Sequence, residues 1–106
     1  MVVKIITQRT VVPDRQGELQ LLLRQLRVKA MNQPGYLTGE TLTSVDNPYT
    51  YIVISAWQSL EHWKAWESHP ERREIQSKIE SMLTTHSQMA VYTEQATTPP
   101  EPDQGP

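Results

Sequence analysis

The tryptophans are the chemically most suggestive residues of this chain, because all three lie within ten positions, at Trp57, Trp63 and Trp66. Trp57 ends a run of strand-forming residues, and the other two follow it at a helical spacing of three. Large rings from a strand end and the next helix form an apolar wall, which is either core or the lining of a small-molecule pocket. We predict that Trp57 and Trp66 line a pocket, with Trp63 beside them or covering the outer surface.

Histidine is the side chain best suited to proton transfer near neutral pH, and the chain has three, His62, His69 and His86. His62 and His69 are seven residues apart, whereas two ligands of one metal on a helix prefer four. His69 precedes Pro70, so it is either a helix-boundary residue or a general base, and it is our candidate catalytic residue. We predict no metal site.

Two further features have a structural and a functional interpretation. Tyr51 alternates onto the same strand face as Trp57, so it is either a half-buried strand residue or a phenol that binds a substrate oxygen. Arg72 and Arg73 stand at a predicted helix start, where positive charge is unfavourable for the helix dipole. They are either solvated or paired with a carboxylate of another subunit. The chain shows no catalytic carboxylate pair, nucleophile triad or glycine-rich phosphate loop.

Composition excludes several classes of function. The 106 residues predict one domain, residues 1–95, followed by a proline-rich tail, residues 96–106. The net charge of −2 gives no basic surface for nucleic acid or an anionic membrane. The chain has no cysteine and no apolar run of about 20 residues, so disulfides, thiolate sites and membrane spans are not expected. We expect a soluble cytoplasmic protein.

Periodicity predicts the elements that must position these residues. Residues 2–12 alternate as a strand, with Val3, Ile5, Thr7 and Arg9 on one face and Gln8 on the other. Asp14 is the expected N-cap of an amphipathic helix that ends before Asn32, and its apolar stripe consists of Leu19, Leu22, Leu23, Leu26 and Ala30. Residues 36–45 and 49–57 form a predicted antiparallel hairpin across a turn at residues 46–48.

Two short helices and a strand complete the prediction. Ser59 is the expected cap of the helix with Trp63 and Trp66, and the segment from Ser68 to Glu71 has the spacing of a capping box. The helix from Pro70 has a stripe of Ile75, Ile79, Met82 and Leu83, and residues 86–94 form the last strand. The order β-α-β-β-α-(α)-β is ferredoxin-like α+β, an antiparallel sheet with helices on one face. The third strand is apolar on both faces, so we expect a second copy of the sheet to form a homodimer.

The segment SAWQSLEHWKAW, residues 55–66, continued by SHPERR, residues 68–73, resembles the antibiotic biosynthesis monooxygenase family. Its family features are a Trp-x-Ser-x-Glu core after a strand, a further aromatic on the next helix, and an arginine-rich helix start. The Pro-Gly-Tyr at residues 34–36 is also similar, and the resemblance covers roughly residues 2–94. It implies a dimeric α+β barrel, and a family that includes cofactor-free oxygenases of aromatic polyketides and quinols and haem-degrading enzymes.

The resemblance also implies positions for site residues. Polyketide oxygenases of the family pair the strand-ending tryptophan, here Trp57, with an asparagine four residues earlier, where this chain has Val53. The haem-degrading members use an asparagine, a tryptophan and a histidine, which correspond here to Gln8, Trp66 and Gln76. Gln8 is therefore a candidate substrate-binding residue, while the histidine that would bind haem iron is replaced.

Three hypotheses follow from the sequence. The first is a cofactor-independent monooxygenase of a small aromatic or quinol-type substrate, with Trp57, Trp66, Tyr51 and Gln8 lining the site and His69 as the base. The second is a non-catalytic dimer that binds haem or another flat aromatic molecule. The third is a structural dimer in which the tryptophans are plain core residues.

Overall fold

The computed structural model describes residues 1–95, so the predicted tail at residues 96–106 lies outside the described residues. Four strands form one antiparallel sheet in the order β2-β3-β1-β4, and three helices lie against one face. The elements are β1 (Val3–Thr10), a 3-10 turn (Pro13–Arg15), α1 (Gln16–Met31), β2 (Tyr36–Thr43), β3 (Thr50–Trp57), α2 (Leu60–Glu67), α3 (Pro70–Glu80) and β4 (Gln88–Thr93). This arrangement confirms the ferredoxin-like α+β fold.

The helix starts differ from the sequence prediction in two of three cases. Asp14 lies inside the 3-10 turn and does not cap α1, whose N-cap position is Arg15 without a side-chain hydrogen bond. The N-cap of α3 is His69, not Ser68, because the His69 ring accepts the backbone N–H of Glu71. Ser59 does cap α2, as predicted, by accepting the backbone N–H of His62 at 3.2 Å.

The ladder register determines which residues face the helices. Paired residues of β1 and β3 point to the same side, and on the helix side these pairs are Val3 with Trp57, Ile5 with Ser55, Thr7 with Val53 and Arg9 with Tyr51. The register of β2 against β3 shifts between Tyr36 and Thr38, which indicates a bulge there. The shift sets Tyr36, Gly39 and Thr41 opposite Trp57, Ser55 and Val53, on the same helix-facing side.

The outer face of the sheet has no cover among residues 1–95. Its central pair is Ile6 and Ile54, and Leu42 pairs with Ile52 beside them. Leu42 is 46% exposed and Tyr92, on β4, is 54% exposed. Several apolar side chains on one uncovered sheet face are a typical feature of an interaction face.

The buried core on the helix side is divided into two clusters. One contains Val11, Leu19 and Ile79 near the end of β1, and the other contains Val3, Ile5 and the three tryptophans near its start. Thr7 and Arg9 lie between the two clusters along β1 and are both buried, at 6% and 3% exposure. A threonine and an arginine of β1 thus lie between two apolar clusters in the interior.

Gly35 connects α1 to β2 in a conformation that needs glycine. Its φ is +84°, and a Cβ there would overlap the ring of His62. The Gly35 carbonyl accepts the backbone N–H of Gln58 at 2.8 Å. The loop before β2 is therefore tied to the start of α2, which carries Trp63 and Trp66.

Candidate functional site

A cavity of about 530 Å³, its open mouth included, lies between the helix-facing side of the sheet and the three helices. The sheet forms its floor, α1 covers it, and α2 and α3 close its side. Its lining consists of Ile5, Thr7, Arg9, Leu23, Leu26, Arg27, Ala30, Tyr36, Gly39, Thr41, Val53, Ser55, Trp57, Trp63, Trp66 and Arg72. The mainly apolar wall, with a few polar groups in it, is typical of small-molecule sites.

Aromatic rings form one continuous wall of the cavity. Trp57 is fully buried, and its ring centroid is 5.4 Å from Tyr36 in an edge-on arrangement and 5.9 Å from Trp63. The Trp57 Nε1–H donates to Ser55 Oγ at 3.1 Å, which fixes the orientation of the indole. Trp66, 3% exposed, completes the wall from α2. The rings are held by their neighbours and do not need a ligand to stay in place.

Small and medium-sized residues line part of the sheet side of the cavity. Gly39 leaves room for the hydroxyl of Tyr36, since a Cβ at Gly39 would overlap it. Val53 and Ser55 occupy the next helix-facing positions of β3. The family's asparagine position, Val53, thus lines the cavity and contributes no polar group.

Arg9 is the most unusual residue of the lining. Its Nη2 donates to Gln76 Oε1 at 2.9 Å, whereas its Nε and Nη1 are buried without any hydrogen-bond partner among the described residues. Burial lowers the pKa of Arg9 to about 10, and the nearby charge of Arg72 adds to the lowering. Arg9 is still protonated at neutral pH, so the cavity wall contains a buried cation with three unmatched N–H donors.

Arg72 brings a second cation to the same wall. Its guanidinium carbon is 5.0 Å from the centroid of Trp63, a cation–π contact, and its Nη1 donates to the Glu67 carbonyl at 3.3 Å. Burial lowers the pKa of Arg72 as well. Arg27, at the mouth, donates to Thr41 Oγ1 at 2.6 Å. Three arginines and no carboxylate contribute to the described lining, so the cavity has a positive electrostatic potential.

The predicted aromatic residues Trp57, Trp63 and Trp66 do come together around this cavity. Tyr51 does not line it. Tyr51 is a core residue whose hydroxyl accepts the side-chain amides of Gln16 at 2.7 Å and Gln20 at 3.1 Å. The structural interpretation of Tyr51 therefore fits its position better than the substrate-binding one.

Gln8 is on the wrong face of the sheet for a cavity residue. It pairs with Ile52 and Gln88 on the outer side, and it is exposed. Side chains alternate along a strand, so one step along β1 separates the outer Gln8 from the buried Arg9. The position carried over from the family resemblance is therefore displaced by one residue from the cavity face.

The histidines do not enter the cavity. His69 caps α3 with its Nδ1, at 3.1 Å from the Glu71 nitrogen, and its ring lies 5.4 Å from Trp66 on the far side of the lining. His62 Nδ1 is 2.7 Å from Ser59 Oγ, and His86 is fully exposed. Gln76, at the position of the family's haem ligand, binds Arg9 and Glu80. The described lining offers no imidazole to iron, so it does not fit haem with a histidine ligand.

Sequence reasoning did not assign either buried arginine to the site. The alternation of β1 did place Arg9 with Val3, Ile5 and Thr7, and a charged residue on an otherwise apolar strand face was a usable signal. Arg72 was singled out for its unfavourable position in the first turn of a helix, but it is buried, so the solvated interpretation is wrong for it. Neither pattern indicated that Arg9 and Arg72 would form no ion pair with a carboxylate.

The fold and the cavity together define the class of protein: a ferredoxin-like α+β domain with an aromatic, positively charged pocket between its sheet and its helices. The family profile described as antibiotic biosynthesis monooxygenase matches residues 1–78. The match covers most of the chain, and the chain belongs to this family. No curated protein matches the sequence.

Solved structures of similar fold have low sequence identity. A conserved protein from Methanosarcina mazei Go1 has a TM-score of 0.85 at 14% identity, covering 90% of this chain and 94% of that one. Rv0793 from Mycobacterium tuberculosis has a TM-score of 0.84 at 15% identity, and the match covers 92% of this chain and 98% of that one. SnoaB, a cofactor-independent oxygenase from Streptomyces nogalater, has a TM-score of 0.79 at 19% identity, and the match covers 93% of this chain and 98% of that one. These likenesses establish the fold.

Residues 1–95 contain no membrane-spanning helix and no cluster of metal-ligating side chains. None of the helices there is long and apolar enough to span a bilayer. No group of three or more histidine, aspartate or glutamate side chains in that part of the chain is arranged to hold a metal ion.

Proposed function

We propose that this protein is a cofactor-independent monooxygenase that oxidises a small aromatic or quinol-type substrate in the cavity. The observation that carries the proposal is a tryptophan-lined cavity between sheet and helices in a chain of the monooxygenase family. The likeness to SnoaB, a cofactor-independent oxygenase, supports it at the level of the fold. Flat rings would lie against Trp57 and Trp66.

The reaction needs an electron-rich substrate that reduces dioxygen itself. Loss of a proton from a ring CH₂ group gives a carbanion, which transfers its electrons to O₂ and, with one proton, forms a C–OOH bond. Elimination of water from this hydroperoxide leaves a carbonyl, so R₂CH₂ and O₂ give R₂C=O and H₂O. The protein would exclude bulk water from the carbanion and stabilise negative charge on the substrate oxygen through Arg9 and Arg72.

The described lining contains no carboxylate or imidazole that could accept the proton. His69, our candidate base, points its Nδ1 at the helix start. We therefore propose that the substrate is acidic enough to ionise beside the two arginines, because a nearby cation lowers the pKa of an acid. Anthrones, which lose the proton from the ring CH₂, meet this requirement. Hydroquinones meet it too: they lose a phenolic proton, the anion reacts with O₂ at a ring carbon, and elimination of water leaves a hydroxyquinone, so that a hydroquinone and O₂ give a hydroxyquinone and H₂O.

Oxygen uptake with a panel of anthrones and hydroquinones tests the proposal. We expect uptake that depends on the protein and that falls by at least about tenfold in Trp66→Ala, since the ring that orients the substrate is lost. Leu21→Ala is the control, because Leu21 is 58% exposed on the outer side of α1 and remote from the lining. Uptake no faster than in buffer for every compound would contradict the proposal.

A second candidate is the non-catalytic binding of a flat aromatic molecule. The missing proton acceptor favours it, because a cavity without a base can bind a ligand and leave it unchanged. Both candidates predict that aromatic ligands quench the fluorescence of Trp57 and Trp66. Only the monooxygenase consumes oxygen while the ligand disappears, so the two measurements made together on one compound separate the candidates.

We also propose that two copies of the chain pack through the outer face of the sheet. The apolar surface around Ile6, Ile54 and Leu42 supports the proposal, as does the resemblance to a family that implies a dimeric barrel. Light scattering after size exclusion should give twice the mass of one chain, and Ile54→Glu should give the monomer. Leu21→Glu, the same kind of change at an exposed position of α1 on the helix side of the sheet, is the matched control and should stay dimeric. A monomeric native protein would contradict the proposal.

A further inference from the structure

We infer that the cavity selects ligands with an anionic group, a carboxylate on a flat aromatic ring, and that Arg9 is the residue that binds this group. The inference rests on the proposed function only in placing the ligand in the reaction site. It concerns the ligand that binds, and binding measurements test it without any measurement of oxidation.

The first argument is the state of Arg9 in the ligand-free protein. A buried guanidinium normally has a carboxylate beside it or a full set of acceptors. Arg9 has one acceptor, the Gln76 amide oxygen, and its Nε and Nη1 have none among the described residues. A ligand carboxylate would supply the missing acceptors and the missing negative charge together.

Glu80 does not perform this role. Its charge acts on Arg9, but the two side chains are joined by hydrogen bonds only through Gln76, whose Oε1 accepts from Arg9 and whose Nε2 donates to Glu80 Oε1 at 3.0 Å. Glu80 also accepts from Ser87, through both its backbone N–H and its hydroxyl, and it is not part of the cavity lining. The Arg9–Gln76–Glu80 chain therefore fixes the guanidinium in position and leaves most of its donors unused.

A second cation strengthens the selection for an anion. Arg72 lines the same cavity over the face of Trp63, and within residues 1–95 it forms no ion pair with a carboxylate. Two buried positive charges with neutral partners raise the potential throughout the cavity, where the low polarity of the wall weakens screening. An anionic ligand is favoured there over a neutral one of the same shape.

The aromatic wall of the cavity indicates that the ligand contains an aromatic ring. Trp57, Trp63 and Tyr36 present ring faces and edges at separations of 5.4 and 5.9 Å from one another. The same wall and Arg9 line one cavity. The ligand class is therefore an aromatic carboxylate whose ring lies by the tryptophans while its charged end approaches Arg9.

Direct binding of a matched pair of probes tests the inference. 2-Naphthoate and 2-naphthamide have the same rings and nearly the same shape, but only the first is charged at neutral pH. Calorimetric titration of the purified native protein should give at least about tenfold tighter binding of 2-naphthoate, as expected for a hydrogen bond to a charged group. Equal affinities for the two probes, or tighter binding of the amide, would overturn the inference.

Variants locate the effect at Arg9. Arg9→Met should abolish the preference for 2-naphthoate, whereas Arg73→Met should retain it, because Arg73 is exposed one position away from Arg72 and its loss changes the net charge equally. Arg9→Lys retains the charge without the guanidinium and should keep part of the preference. If Arg9→Met does not fold, Arg72→Met replaces it, with a reduced preference expected. A preference unchanged in Arg9→Met or Arg9→Lys, or in a substituted Arg72→Met, would overturn the role of the arginines.

Failure of the inference and failure of the proposed function give different results. Selective binding of 2-naphthoate without oxygen uptake by any compound supports the inference and contradicts the monooxygenase. Oxygen uptake with neutral anthrones, together with equal binding of the two naphthalene probes, supports the monooxygenase and overturns the inference.

Discussion

Replacement of Arg9 by methionine should stabilise the ligand-free protein, although it removes a hydrogen bond. Arg9 is 3% exposed, and its pKa is lowered to about 10, chiefly because burial disfavours its charged form. One pKa unit corresponds to about 1.4 kcal/mol, so the charge destabilises the fold by roughly 3 kcal/mol at neutral pH. Methionine has a similar length and no charge to bury.

Loss of the hydrogen bond between Arg9 and Gln76 opposes this stabilisation. Without Arg9 the Gln76 Oε1 has no donor, and an unmatched buried acceptor costs about 1–3 kcal/mol. Gln76 is half-buried, which favours the lower end of that range because water can reach it. We therefore expect a net stabilisation of about 1–2 kcal/mol, or a rise in Tm on the order of 5–10 °C for a domain of this size.

Urea unfolding at several pH values measures the effect. The pKa of Arg9 is lower in the folded than in the unfolded state, so its destabilisation is complete below about pH 10 and disappears as the pH rises above that value. The difference between Arg9→Met and the native protein should therefore be constant from about pH 6 to 9. Arg73→Met, an exposed control, should change stability by less than about 0.5 kcal/mol. A loss of more than about 2 kcal/mol in Arg9→Met would refute the view that Arg9 is uncompensated.

Two other predictions concern the supports of the site. Gly35→Ala should lower the free energy of unfolding by at least about 1–2 kcal/mol, because φ is +84° and the new Cβ would overlap His62. In the double variant Gly35→Ala/His62→Ala, the part of the lost unfolding free energy that is due to overlap with the His62 ring should be recovered. Strictly additive free energies of unfolding in urea would contradict that contact. For Glu80, burial alone would raise the pKa, but hydrogen bonds from Ser87 and Gln76 outweigh it and lower the pKa. Glu80→Gln should therefore be less stable than the native protein at neutral pH, and the gap should close as the pH falls below 4.5; a gap that persists unchanged at about pH 3 would exclude this cause.

The elements were predictable because their signals are local. The alternation in residues 3–10 and the leucine spacing in residues 16–31 each depend only on the period of one element, and Pro13 and Gly35 mark where the chain must turn. Boundaries were less predictable. The N-cap of α3 is His69 and not Ser68, because the cap is the residue whose side chain reaches a free backbone N–H of the first turn. Which side chain reaches it depends on the direction of the backbone at the helix start.

The site was only half predictable. The clustering of Trp57, Trp63 and Trp66 is visible in the sequence, and the structure brings them together. Gln8 was assigned to the site by resemblance and lies on the outer face, since a shift of one residue along a strand reverses the side of the sheet. Tyr51 shares the correct face, but the amides of Gln16 and Gln20, 35 and 31 residues away, use its hydroxyl.

The sequence by itself determined the order of strands and helices, the two faces of each strand and the presence of an aromatic cluster, because each follows from spacing along the chain. Only the tertiary structure decided that this cluster surrounds a hollow and that Arg9 and Arg72 stand in its wall without carboxylates. Whether a space is filled depends on side chains from several elements at once, and whether a charge is paired depends on distances between residues far apart in sequence. Neither quantity is a property of any single segment.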